Sequence, residues 1–161
     1  MSVFALSEND EQIRLHMEQY IGVANQLGSF YKDFNFVCTG SDWEEGWIEF
    51  THIATDYDMN RYGNIHGGVI MMLVDTASGL TAFETGTGNS TPTMDMSISF
   101  LRAIHIGDEM VMRSQVLNVG KHTCTVRTDV LVNGEIAATA NTMHRMYTGT
   151  KPEVPVLLQE P

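Results

Sequence analysis

Residues 66–84, HGGVIMMLVDTASGLTAFE, constrain the fold more than any other stretch of this chain. Val69, Ile70, Met71, Met72, Leu73 and Val74 are apolar on every side of a helical wheel, which predicts a helix covered all round and not one lying on a surface. Other elements must therefore wrap it. Asp75 follows the apolar run directly, and a carboxylate there is costly to desolvate unless partners compensate. It either carries a function or serves a local structural purpose, such as capping a second helix that starts at Thr76 or bonding to a neighbouring strand.

The wrapping material is β-structure. Residues 46–53 alternate Trp47, Glu49 and Thr51 against Ile48, Phe50 and His52, and 35–39 also has strand character. After the helix, Thr93, Asp95, Ser97 and Ser99 alternate with Met94, Met96, Ile98 and Phe100, while 108–119, 122–132 and 135–147 alternate less strictly. Residues 118–121 and the pair Asn133-Gly134 supply turns, the second being a strong two-residue hairpin signal. Near the N-terminus, Ser7 followed by Glu8, Asn9, Asp10 and Glu11 predicts a capped helix start. Ile13, Met17, Tyr20, Ile21 and Leu27 continue it as an apolar stripe, and Gly28 is its predicted stop. A polar loop, DYDMNRYGN, precedes the central helix. The order predicts an α+β hot-dog fold: a curved antiparallel β-sheet wrapped around one buried central helix, with an extra N-terminal helix. The expected divisions are an N-terminal helical extension over 1–34, the sheet-and-helix domain over 35–148 and an irregular tail over 149–161, which holds three of the four prolines.

Composition narrows the function classes. With 161 residues, 43% hydrophobic and 18% charged, the chain suits one globular domain with a real core. Nine Lys plus Arg against 20 Asp plus Glu give a net charge of -11, which argues against nucleic acid as a partner and against a polybasic membrane dock. Cys38 and Cys124 lack both zinc-site spacing and the density of a disulfide scaffold. No signal peptide or membrane-spanning run is visible, so a cytoplasmic location is expected. The six histidines show no ligand-spaced cluster, and no metal is expected.

The run NRYGNIHGGVIMMLVD, from Asn60 to Asp75, resembles the signature of hot-dog thioesterases of the phenylacetic-acid-pathway and mammalian thioesterase superfamily member 2 type. In that family a loop Asn precedes the His-Gly-Gly turn by six residues and an Asp follows the His by nine. Asn60, His66 and Asp75 keep that spacing, and Thr93 matches the Ser or Thr that starts the strand after the helix. The resemblance covers residues 35–147. It implies an acyl-CoA thioesterase that needs no cofactor, coenzyme A being part of the substrate, and that forms a dimer or a dimer of dimers.

Each position has its own chemistry. Amides exposed at a helix N-terminus attract partial negative charge, and glycine lets a ligand approach the backbone, so Gly67 and Gly68 suit a thioester oxyanion as well as a plain tight turn. The resemblance implies that the Gly67 amide polarises the carbonyl, with Gly68 beside the substrate and His66 supporting the turn. Asp75 is then nucleophile or general base. Thr93 orients the water or the carboxylate, and Asn60 contacts the thioester or fixes the Gly67 turn. Gly67 and Asp75 are eight residues apart, about 12 Å along one helix, too far for one thioester group to touch both. The site is therefore expected to be shared, with central helices antiparallel across a two-fold axis. Arg61, Arg102 and Lys121 are candidates for coenzyme A phosphates despite the acidic chain. Met71, Met72, Phe83 and the Met94/Met96 face are candidates for an acyl tunnel.

Two other classes share such a scaffold. A hydratase or dehydratase acting on enoyl thioesters would rely on a His base in a different motif, which is not evident. A non-catalytic acyl-CoA-binding module would not need Asn60, Gly67, Asp75 and Thr93 together.

Overall fold

The computed structural model describes residues 2–26, 34–86 and 91–147; Leu27, the stop predicted at Gly28 and the tail 149–161 lie outside them. In chain order the elements are α1 (Asp10–Gln26), β1 (Val37–Asp42), β2 (Trp47–Ile53), α2 (Gly67–Glu84), β3 (Thr93–Phe100), β4 (Glu109–Val119), β5 (Thr123–Val132) and β6 (Glu135–Arg145). The strands form one antiparallel sheet in the order β1-β2-β4-β5-β6-β3, so β1 and β3 are its edges.

Alternation explains the buried face. Ile48, Phe50 and His52 point inward from β2, Met110, Met112, Ser114 and Val116 from β4, and Cys124, Val126, Thr128 and Val130 from β5. Two hydroxyls on that face, Ser114 and Thr128, lie 2.8 Å apart and satisfy each other. Asn133 and Gly134 have φ of 53° and 80°, the left-handed pair that a two-residue hairpin matched to strand twist requires. Against the inward face lies α2, in contact with β2 through β6. This is the hot-dog arrangement, a curved sheet around a central helix.

Two expectations need correction. Central helix α2 is not covered all round: Ile70, Leu73, Val74, Ala77 and Ser78 are buried, but Gly68 and Met71 are exposed and Asp75 is half-buried. An all-apolar wheel shows that a helix avoids water, not which molecule covers each side. The helix also runs unbroken to Glu84, so Asp75 caps no second helix at Thr76.

The cap of α1 is the other correction. Asn9 Oδ1 accepts the Gln12 amide at 3.0 Å, and Gln12 Oε1 accepts the Glu8 amide at 2.8 Å. Ser7 is buried instead, its hydroxyl donating to Glu84 Oε2 at 2.7 Å. The start lies two residues later because Ile13 and Met17, both fully buried, fix which face of α1 meets the core.

Candidate functional site

At the N-terminal end of α2 the candidate groups belong to the backbone. His66, with φ −67° and ψ 131°, is the N-cap, and its Nδ1 accepts the Gly68 amide at 2.9 Å. The amides of Val69 and Ile70 reach the His66 carbonyl at 2.9 and 3.2 Å. Among the described residues, the Gly67 amide is thus the one donor of this turn without an acceptor. A Cβ on Gly67 would lie 3.2 Å from Phe100 Cζ, so glycine also keeps that approach narrow but open.

The preceding loop holds this turn in place. Asn60 Oδ1 accepts the amides of Tyr62 and Asn64 at 2.8 and 3.3 Å, closing a tight loop. His66 N–H donates to the Asp58 carbonyl at 2.7 Å. Asp58 ends a short 3-10 turn, Asp56–Asp58, and its buried carboxylate accepts from the Thr55 amide (2.6 Å) and hydroxyl (3.0 Å) and faces His52 Nε2 at 2.9 Å. Sequence reasoning passed over this pair. His52 did carry a signal, being a polar residue on the apolar face of a strand.

Asp75 lies two turns further along. The Thr93 hydroxyl donates to Asp75 Oδ1 at 2.5 Å, joining β3 to α2. Strict alternation would put Thr93 on the same face as Asp95, away from the helix. The register shifts between them, however: Thr93 pairs with His144, and Asp95 with the next residue, Met143. This bulge at Met94 turns Thr93 to the helix side. Thr91 Oγ1 donates to the Gly79 carbonyl at 3.0 Å and pins the approach to the strand.

Behind the pair lies His144, fully buried and also missed by sequence reasoning. Its Nδ1 donates to the Thr91 carbonyl at 3.2 Å and lies 3.4 Å from the Thr93 hydroxyl; Nε2 lies 3.1 Å from the hydroxyls of Ser78 and Thr142. Burial holds its pKa below the usual histidine value, opposed by the Thr91 carbonyl and the Asp75 charge. Its sequence signal was weak, a lone histidine in a strand.

Two cavities flank these groups. One, of about 430 Å³, is lined by Asn60, Gly67, Phe100 and Arg102 among others. The second, of about 380 Å³, runs between α1 and α2 and is lined by Tyr20, Ile21, Ala24, Asp75, Gly79, Leu80, Phe83 and Thr93 among others. In one chain, Gly67 and Asp75 thus open onto different cavities. Of the residues expected to form an acyl tunnel, Phe83 lines the Asp75 cavity; Met71, Met72, Met94 and Met96 do not. The strip of α2 carrying Met71 faces outward, and the bulge makes Met94 an outlying residue.

The basic residues are dispersed. Arg61 stacks over Tyr62, 4.6 Å from the ring centroid, and Arg102 pairs with exposed Glu135. Lys121 is exposed in the β4–β5 turn, at the Thr93 end of the sheet, whereas Arg102 follows the far end of β3. One chain does not bring the three together.

A family model described as "Thioesterase superfamily" matches residues 62–137, which include His66, Gly67, Asp75 and Thr93. Mouse acyl-coenzyme A thioesterase 13 is 34% identical over 62 residues, covering 38% of this chain and 44% of that protein. The chain therefore spans less than half of this curated relative. A Streptococcus mutans UA159 protein, solved bound to acetyl CoA, is 30% identical, with a TM-score of 0.64 over 73% of this chain and 92% of that one. The Escherichia coli PaaI protein, at 22% identity, shares the fold, with a TM-score of 0.71 over 92% of this chain and all of that one. Read with the helix and strand that carry Asp75 and Thr93, these matches identify the family: the chain belongs to the thioesterase superfamily.

Proposed function

We propose that this chain hydrolyses acyl-CoA thioesters to a free acid and coenzyme A at sites shared between two copies. The observation that carries this is the Asp75 carboxylate, held by the Thr93 hydroxyl at 2.5 Å on the wall of a cavity of about 380 Å³. One carboxylate oxygen is occupied by Thr93, and the other is available to a water. Asp75 takes a proton from that water as its oxygen attacks the thioester carbonyl. The Gly67 amide of the partner copy holds the resulting oxyanion, and collapse of the intermediate expels the coenzyme A thiolate, which takes up a proton. The acetyl CoA bound to the S. mutans relative and the name of the mouse relative support an acyl-CoA substrate.

The helix supports sharing. Eight residues separate Gly67 from Asp75, about 12 Å at the helical rise, and each lies on its own cavity. Strand β3 is an unpaired edge with Met94, Phe100 and the following Leu101 exposed, a surface suited to a second copy. Free-thiol release from a panel of acyl-CoAs tests the reaction. Asp75→Asn should reduce it by about 10³-fold with the circular dichroism unchanged; wild-type turnover in that variant would overturn the role of Asp75.

A further inference from the structure

We infer that α1 forms the selecting wall of the acyl site and that Tyr20 is its end stop, so the enzyme takes medium-chain apolar acyl groups. This rests on the proposed hydrolysis at Asp75. The cavity beside Asp75 is a trough with two helical walls. Asp75, Thr76, Gly79, Leu80 and Phe83 form a stripe along α2, and Tyr20, Ile21 and Ala24 form one along α1. Asp75 stands at one end of the α2 stripe. At the other, the Tyr20 and Phe83 rings meet edge to face with centroids 4.6 Å apart. From Asp75 to Phe83 is again eight residues, about 12 Å, which at C–C bonds of about 1.5 Å in a zigzag holds an acyl chain of roughly eight to ten carbons.

Gly79 lies midway between the two ends. Glycine inside a helix is unfavourable relative to alanine, and a Cβ built there would meet only His144 Cε1, at an ordinary 3.8 Å. Close packing therefore does not require glycine at this position. Its missing side chain leaves the middle of the trough wide, which a chain running from Asp75 to Phe83 needs.

The wall is fixed in place. Glu84, the residue after Phe83, is fully buried; its carboxylate accepts from Ser7 at 2.7 Å and faces His16 Nδ1 at 3.0 Å, and its carbonyl accepts the amides of Ala5 and Leu6. These bonds fasten the start of the chain and α1 to the end of α2, beside the aromatic pair. Tyr20, Ile21 and Ala24 lie outside residues 62–137, the stretch that the family model matches.

Selectivity is read as the ratio of kcat/KM for palmitoyl-CoA to that for octanoyl-CoA. Tyr20→Ala should raise this ratio about tenfold or more by opening the end of the trough, and Tyr20→Phe should hold the wild-type ratio. Gly79→Leu should lower the octanoyl-to-acetyl ratio. Binding of the same two thioesters to Asp75→Asn, with and without Tyr20→Ala, gives the selection by calorimetry without turnover. An unchanged ratio in both the kinetic and the binding series overturns the end stop. A shift in binding with no hydrolysis of any thioester by the wild type upholds the acyl wall and overturns the proposed reaction.

Discussion

The two ends of α2 make contrasting use of one helix. At its start the candidate group is a backbone amide, left without an acceptor among the described residues while the neighbouring amides are satisfied by His66 and by the turn itself. Further along, the candidate group is a side chain, Asp75, oriented from the sheet by Thr93 and faced by an apolar trough. The first end is built by loops and is largely exposed; the second is built by strands and by α1. An amide needs only a fixed turn, whereas a carboxylate meant to move a proton needs a positioned partner and a surface that limits water.

The sharpest way to break this contrast is to remove the amide while keeping the helix. Proline is favoured at the first helical position, and His66 at ψ 131° has the extended conformation required of a residue preceding proline. Gly67→Pro should therefore fold yet lose about 10²- to 10³-fold in kcat. Undiminished turnover would remove the amide from the mechanism. Mixed dimers of Gly67→Pro with Asp75→Asn should regain one of their two sites, and a mixture no more active than its parents would count against sharing.

A smaller effect is expected at the support of the first end. Asp58→Ala strips the Thr55 amide and His52 of a buried acceptor, at about 1–3 kcal/mol for each group left unsatisfied. Chemical denaturation should register that loss, together with a higher KM as the His66 turn loosens. Full stability in the variant would show that the loop holds without it.

The smallest effect concerns pH at the second end. His144 is kept neutral by burial, with its folded pKa below the ordinary 6.5. Below about pH 6.5 the unfolded chain gains a proton that the native state resists, so the stabilisation is present above that value and is lost as pH falls through the folded pKa. Thermal melts should show Tm dropping in mildly acidic buffer, and His144→Gln should flatten the slope. An equal slope in both proteins would assign the acid sensitivity elsewhere.

Much of the fold was legible because its signals were local. The 66–84 pattern, the alternation of β2 and the Asn133-Gly134 turn all appear where expected. Asp75 and Thr93 were singled out by the resemblance to the thioesterase signature, and the structure brings their side chains together. Four features were not legible. The His52–Asp58 pair joins a strand to a turn, and the His144 cluster joins β6 to α2 and to the segment before β3, so neither has a sequence period. The open strip of α2 is indistinguishable from a covered one in an apolar run. The cavity between α1 and α2 depends on how two helices lie against each other, which no spacing within either helix encodes.

The bulge at Met94 has a consequence for chain length. Because β3 carries one residue more than its partner at that point, Thr93 faces Asp75 although Asp95 faces away. Lengthen β6 by one residue between Met143 and His144, giving Met94 a partner, and the ordinary two-residue rhythm returns, swinging the Thr93 hydroxyl to the face of Asp95 with the Asp75 and Thr93 side chains still present. The site depends on a count as well as on chemistry: a frame one residue long sets which side of the sheet Thr93 occupies.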